Sequence, residues 1–255
     1  MAGGKAQRYA TGSGEAVRQL IRDGAVFRKV EFCDVSLATT AAYDMVFRDC
    51  LFEDVNLLGA NWQGVTFATS RFRNCRFVGA NFQESVFDSC DFFDPDRSLG
   101  CNFVRADMRS LTCTRCDLSA CDFEEVDAFQ MTIKESKGIG ARFFKTRFRN
   151  LATITGNVLR YADLRGAELG KCDLSHNDLQ WATLDEANFG EANFIGTNLN
   201  GATMRHATFA GADLRGAGLS SFDLRAVDLR GAKILNYQMR GLIENYGLVV
   251  FPDPT

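Results

Sequence analysis

The sequence predicts an all-β solenoid, a chain wound into short coils that stack on one another. Three observations predict it: a small–polar–apolar pattern recurring every five residues, aromatics dominated by 22 Phe against 5 Tyr and 2 Trp, and only three prolines. An α-helix repeats its faces every 3.6 residues and a flat strand every 2, so neither accommodates a period of five. Inward residues at positions one and three of each quintet require an extended stretch between them, and the other positions must turn and face water. No such coil buries its inner residues alone, so neighbours stack and satisfy one another's backbone groups.

Size and composition agree. The 255 residues allow one large domain or two ordinary ones, and 46% apolar with 24% charged residues excludes disorder for most of the chain. A net charge of −3 (29 basic, 32 acidic) argues against a basic nucleic-acid binder. Apolar runs such as Leu248 to Phe251 are too short for a membrane span or a signal-peptide core, and Met1 to Gly14 is polar and Gly-rich.

The frame is clearest from Ala162, where the chain reads ADLRG, AELGK, CDLSH, NDLQW, ATLDE, ANFGE and onward to AKILN. The third position, here termed the centre, is Leu, Phe, Met or Ile; the first is its small partner. In the N-terminal half the centres run from Phe27, Phe32, Leu37 and Ala42 through Phe47 and Phe52 to Phe87 and Phe92. A one-residue phase slip falls within Phe93 to Gly100, and centres resume at Phe103, Met108 and Cys113 up to Phe148. A second slip near Asn150 to Thr153 restores the frame at Ile154 and Leu159. Forty-one quintets account for 205 of the 255 residues.

These A(D/N)LxG-type quintets resemble the pentapeptide repeat family. The resemblance implies a right-handed quadrilateral β-helix with four quintets per coil, hence about ten coils and a rod roughly 50 Å long at ~4.8 Å per stacked strand. Residues twenty apart should then stack. Phe27, Phe47, Phe67 and Phe87 form one such column and Phe32, Phe52, Phe72 and Phe92 another. Leu169, Phe189, Phe209 and Leu229 form a third, and Leu164, Leu184, Met204 and Leu224 a fourth. Each phase slip should be a bulge or a small loop.

Solenoid ends expose apolar faces and strand edges and need caps. Residues 1–24 form a tail and a capping helix beginning at Ser13 and carrying Val17, Leu20 and Ile21; residues 25–236 form the β-helix. Residues 237–255 form a second helix, Tyr237 to Asn245, and a short strand, Leu248 to Phe251. This end is either a cap alone or a cap that is also a homodimer interface, carried by Met239, Leu242, Ile243, Tyr246, Leu248 and Val250. The Asp94-Pro95-Asp96 turn and the weak centres Ala128, Ile133 and Gly138 mark either excursions that touch a partner or degenerate repeats.

Nothing points to catalysis. Cys50, Cys75, Cys90, Cys101, Cys116, Cys121 and Cys172 all take the small-partner position, Cys113 is a centre, and only Cys33 lies outside both. They read as small buried hydrophobes, with no metal, cofactor or disulfide, and reduced thiols fit a cytoplasmic protein. His176 and His206 fall at outward positions on different faces. The second-position acids, such as Asp163 and Asp213, read as turn residues. The expectation is a non-enzyme that acts by shape and surface charge.

Two acidic groups are candidate partner sites: the outward column Asp34, Asp54, Asn74 and Asp94, with Asp96 and Arg97 beside it, and the cluster Asp122, Glu124, Glu125 and Asp127. A rod near DNA's width with spaced acids could occupy a cationic DNA-binding saddle. The segment ILNYQMRGLIENYGLVVFP from Ile234 resembles the end of the Qnr and MfpA group of the family. That resemblance implies rods joined tail to tail that imitate DNA, bind DNA gyrase or topoisomerase IV rather than nucleic acid, and protect these enzymes from poisons. The alternative is a scaffold or regulator that binds another protein through a face or a loop.

Overall fold

The computed structural model describes residues 7–9, 15, 18–19, 21, 26–149, 151–220, 222–244, 246–247 and 249. Its strands are β1 (Gln7–Tyr9), β2 (Val26–Arg28), β3 (Val30–Cys33), β4 (Val46–Arg48), β5 (Leu51–Glu53), β6 (Thr66–Ala68) and β7 (Arg71–Arg73). They continue with β8 (Val86–Asp88), β9 (Phe93–Asp94), β10 (Leu99–Gly100), β11 (Thr112–Thr114), β12 (Thr132–Lys134) and β13 (Thr153–Thr155) before the helix α1 (Asn236–Glu244). The chain winds as a four-sided β-solenoid. The faces are numbered from the centres of the first coil: Phe27, Phe32, Leu37 and Ala42.

On the first face, β2, β4, β6, β8, β11, β12 and β13 form one parallel sheet that registers six turns. Single bridges carry that face on, from Thr153 to Asp173, Asn193, Asp213 and Lys233. The ten steps from coil to coil on this face therefore divide into six made by paired strands and four held by one bridge. The residue before the centre decides which. Val46, Thr66, Val86, Thr112, Thr132 and Thr153 are β-branched and extend into strands. Asp173, Asn193 and Asp213 instead accept the backbone N–H two residues on, at 3.1, 3.0 and 3.3 Å, and that local turn replaces further ladder bonds.

The period of five has a backbone cause. The fifth residue of every quintet is left-handed, from Lys29 to Ser89, from Arg105 to Gly140 and Lys145, and from Leu151 to Gly216. Each such residue turns the chain through one corner of the square. Gly, Asn and Asp take that conformation at least cost, and they recur there (Asp34, Asp44, Asp49, Asp54, Gly59, Gly64).

Inside, the columns stack, except that Phe87 meets Phe67 edge to face at 62°. Ring centroids are 4.9 Å apart for Phe27–Phe47, 5.1 Å for Phe47–Phe67, 4.8 Å for Phe32–Phe52 and for Phe52–Phe72, and 4.5 Å for Phe72–Phe92. Neighbouring columns meet edge to face, as in Phe52–Phe67 at 89°. The expected column of Leu164, Leu184, Met204 and Leu224 ends one coil early. Phe222 stands where a small partner belongs, is buried and lies 5.2 Å from Phe209, which leaves Leu224 exposed. The stretch Ala128 to Gly140 is no excursion: β12 and the bridges of Lys137 run in register through it.

The two slips differ. At the second, partners are 21 apart, as in Lys137 with Val158, so one residue is accommodated near the exposed Leu151. At the first they are 26 apart, as in Arg76 with Asn102, because six residues leave the coil in an antiparallel hairpin of β9 and β10. The expected one-residue slip is thus an inserted hairpin. Gly100 is required where it rejoins the coil, since a β-carbon there would lie 2.2 Å from the Cys121 backbone nitrogen.

At the N-terminal end β1 pairs in parallel with β3 and extends the second face downward. Most of the helix expected from Ser13 lies outside the described residues, but Ile21 is buried in the core. At the other end α1 covers the last coil through Leu242 and Gln238, both buried. The Gln238 amide bonds four backbone groups: Nε2 donates to Leu214 O and Ala217 O, both at 2.8 Å, while Oε1 accepts from Gly216 N at 3.1 Å and Leu235 N at 2.8 Å. The strand expected from Leu248 lies largely outside the described residues.

Candidate partner-binding surfaces

The acidic column is a corner column. Asp34, Asp54 and Asn74 are left-handed, with φ of 51°, 52° and 49°, so the turn accounts for their residue types. Asp54 does not present a free carboxylate. Arg97 Nη1 donates to its Oδ1 at 2.9 Å and Asn74 Nδ2 at 2.6 Å, which together hold its pKa below the ordinary aspartate value. Asp94 leaves the column altogether. It is buried in the hairpin, where Oδ1 accepts the N–H of Asp96 at 3.0 Å and of Arg97 at 3.3 Å and closes the turn. An outward strip running through Asp94 is therefore not formed.

The hairpin is tied down along the second face. Arg73 donates to Phe93 O and to Asp91 Oδ2, Phe93 N donates to Asp91 Oδ1 at 3.0 Å, and Lys137 sits 5.9 Å from the Phe93 ring. Arg97 fastens its turn to Asp54. Pro95, Asp96 and Leu99 are left exposed.

The cluster Asp122, Glu124, Glu125 and Asp127 lies on the third and fourth faces, and each of its acids meets an arginine. Arg142 bridges Asp122 at 3.2 Å and also Glu124, Arg105 bridges Glu125 at 2.7 Å, and Arg147 lies 3.7 Å from Asp127. Arg105 lowers the Glu125 pKa. A groove of about 700 Å³ follows this corner, lined by both signs of charge: Arg105, Asp107, Glu125, Asp127, Lys145 and Arg147. Farther up, Arg225 and Arg230 draw Asp223 and Asp228 down to about 2.

All nine cysteines are free and buried, including Cys33, which the periodicity places outward. Six of the thiols, those of Cys50, Cys75, Cys101, Cys116, Cys121 and Cys172, serve as weak donors to the centre carbonyl one coil below, as in Cys75 Sγ to Phe52 O at 3.3 Å, the role Thr146 plays toward Phe123. Burial pushes Cys172 up to about 11 and Cys75 well above its ordinary value. Among the described residues no group of three or more His, Cys, Asp or Glu could hold a metal, and no helix is long and apolar enough to cross a membrane.

The C-terminal end is apolar. Leu242 faces the last coil, whereas Met239, Tyr237, Ile234 and Val249 are exposed and Ile243 is half-buried. Tyr246 is pinned to that coil, donating to Asp223 Oδ1 at 2.9 Å and accepting from Leu224 N at 2.7 Å. An apolar cavity of about 210 Å³ lies between helix and coil, lined by Phe222, Leu229, Ile234, Met239 and Ile243. Leu248 and Val250 lie outside the described residues. Sequence reasoning missed the Arg97 tether, Gln238, and the exposed aromatics Tyr161 and Trp181.

A four-sided solenoid built from quintets, with an inserted hairpin and a helix-capped end, defines a repeat protein. The chain belongs to the pentapeptide repeat family: the family model "Pentapeptide repeats" matches in eight copies over residues 46–83, 70–92, 99–125, 158–190, 184–220 and 192–231. Among curated relatives it is 32% identical over 83 residues to the pentapeptide repeat protein QnrB4 of Escherichia coli. It is 34% identical over 92 residues to the quinolone resistance pentapeptide repeat protein QnrB96 of Scandinavium goeteborgense. These matches span 29% and 32% of the chain, and only 39% and 43% of the relatives' length. Among solved structures, full-length QnrB1, a plasmid-mediated fluoroquinolone resistance protein, superposes with a TM-score of 0.69 at 31% identity, over 80% of this chain and all of that one. A trypsin-treated form of QnrB1 gives 0.69 at 34% identity, over 74% and 91%.

Proposed function

We propose that the protein is a non-enzymatic, cytoplasmic rod that binds a type II topoisomerase, DNA gyrase or topoisomerase IV, and modulates it or protects it from inhibitors. The supporting observation is the likeness to QnrB1 along the whole of that chain, over 80% of this one. Mimicry of DNA would then rest on the shape of the rod, since Asp54, Asp94 and the acids of the second cluster are engaged by arginines. The hairpin turn at Asp96 and Arg97 and the exposed Met239 with Ile243 are the proposed partner and homodimer contacts. The test is gyrase supercoiling with added protein, with and without a fluoroquinolone. Relief of inhibition or altered supercoiling supports this reading, and no effect on gyrase or topoisomerase IV overturns it.

The ion pairing itself favours a second reading, a scaffold that binds a different protein with little net charge at its docking site. Under that reading the enzymes are unaffected, and a partner recovered by pull-down is lost when Asp96 and Arg97 are replaced.

A further inference from the structure

We infer that Tyr161 and Trp181 form an aromatic patch by which the rod docks on its protein partner; the identity of that partner rests on the topoisomerase reading above. Both residues occupy the corner that follows the second face, with φ of 59° and 61°. In successive coils, leaving out the one whose corner is replaced by the hairpin, this position holds Asp34, Asp54, Asn74, Ala120, Gly140, Tyr161, Trp181 and Gly201. A left-handed corner costs an aromatic residue more than glycine, and here it gains little burial in return, since Tyr161 is 60% and Trp181 56% exposed. Gly140 and Gly201, one coil to either side, show that the fold is served by glycine. The fold therefore does not account for the two aromatics.

The surroundings state the chemistry of the partner. A β-carbon on Gly201 would come within 2.3 Å of the Trp181 ring, so the indole lies against the next coil in space that glycine leaves open. Ile139 and Val158 on the adjoining face are exposed as well. The charges beside them are cancelled within the face: Arg160 pairs with Asp178 at 2.5 Å and Lys137 with Asp117 at 3.0 Å. The patch fits an apolar, weakly charged pocket of a protein and not a cationic saddle. Exposed Trp and Tyr are the residue types that dominate binding energy when they fill such pockets.

The test is binding of the full chain and of Trp181→Gly and Tyr161→Gly to immobilised gyrase and topoisomerase IV, with melting temperature and light scattering measured in parallel. Glycine suits the left-handed corner, so both variants should melt at or above the wild-type temperature and bind at least tenfold more weakly. Variants that bind like the wild type overturn the patch and leave the topoisomerase reading standing. A wild type that binds neither enzyme overturns that reading and the partner assigned here. Melting temperatures that fall in both variants return the aromatics to a structural role, and a changed oligomeric state makes a second copy the occupant; either result overturns the proposal.

Discussion

Arg97 of the inserted hairpin reaches 43 residues back along the chain to Asp54, two coils earlier, with Nη1 to Oδ1 at 2.9 Å and Nη2 to Oδ2 at 3.5 Å. The same guanidinium lies 3.8 Å from Asp94, the residue whose carboxylate closes the hairpin turn. Position and charge of the hairpin are thus set by one arginine between two acids. Asp54→Asn should release the turn and speed tryptic cleavage after Arg97 several-fold. Global stability should change by less than about 1 kcal/mol, because the pair is at the surface. Fragment masses during limited proteolysis, with a urea melt, check both.

The tether should depend on pH. Hydrogen bonds from Arg97 and Asn74 lower the Asp54 pKa in the folded chain, so the stabilisation is complete above the ordinary aspartate pKa. It is lost as pH falls through the lowered value. Trypsin is inactive in that range, so amide exchange of residues 96–99 is the measurement. Exchange corrected for its intrinsic rate should be flat from pH 7 to about 5 and rise at lower pH, and Asp54→Asn should abolish the dependence.

Phe72 is fully buried between Phe52 and Phe92. Phe72→Ala removes a ring from the middle of a column that the coils cannot collapse to fill, at a cost of about 3–5 kcal/mol. A shift of the urea midpoint at unchanged slope verifies it.

Gln238 satisfies two carbonyls and two amides at the open end of the last coil. Gln238→Ala leaves some of them buried without partners, each worth about 1–3 kcal/mol. Helix α1 should detach before the rod melts, seen as faster amide exchange at Gly216 and Leu235 with the centres around Phe123 still protected.

How far the sequence revealed these features follows from what each one does to a period of five. The centres were legible because every quintet repeats the same inward demand. The hairpin was not: six inserted residues are one quintet plus one, so a five-residue frame registers only the remainder. Asp34 and Asp54 were visible as acids, but their left-handed backbone, which explains them, leaves the same mark as a functional column would. Phe222 concealed the outward turn of Leu224 because an oversized small partner still fits the apolar pattern. Gln238 and the Arg97–Asp54 pair are single long-range contacts with no periodic trace, as is the three-residue strand β1. The C-terminal helix was legible from Met239, Leu242 and Ile243, although only Leu242 of these is fully buried against the coil.

The account depends on a chain that climbs one coil every twenty residues except at the two insertions, and disulfide trapping across the hairpin tests that most directly. Asn81 bridges Asp107, 26 residues on. With the nine native thiols protected in the core, Asn81→Cys with Asp107→Cys should cross-link on mild oxidation, and Asn81→Cys with Asn102→Cys should not. Cross-linking of the second pair in place of the first would contradict the coil register and the surfaces built on it.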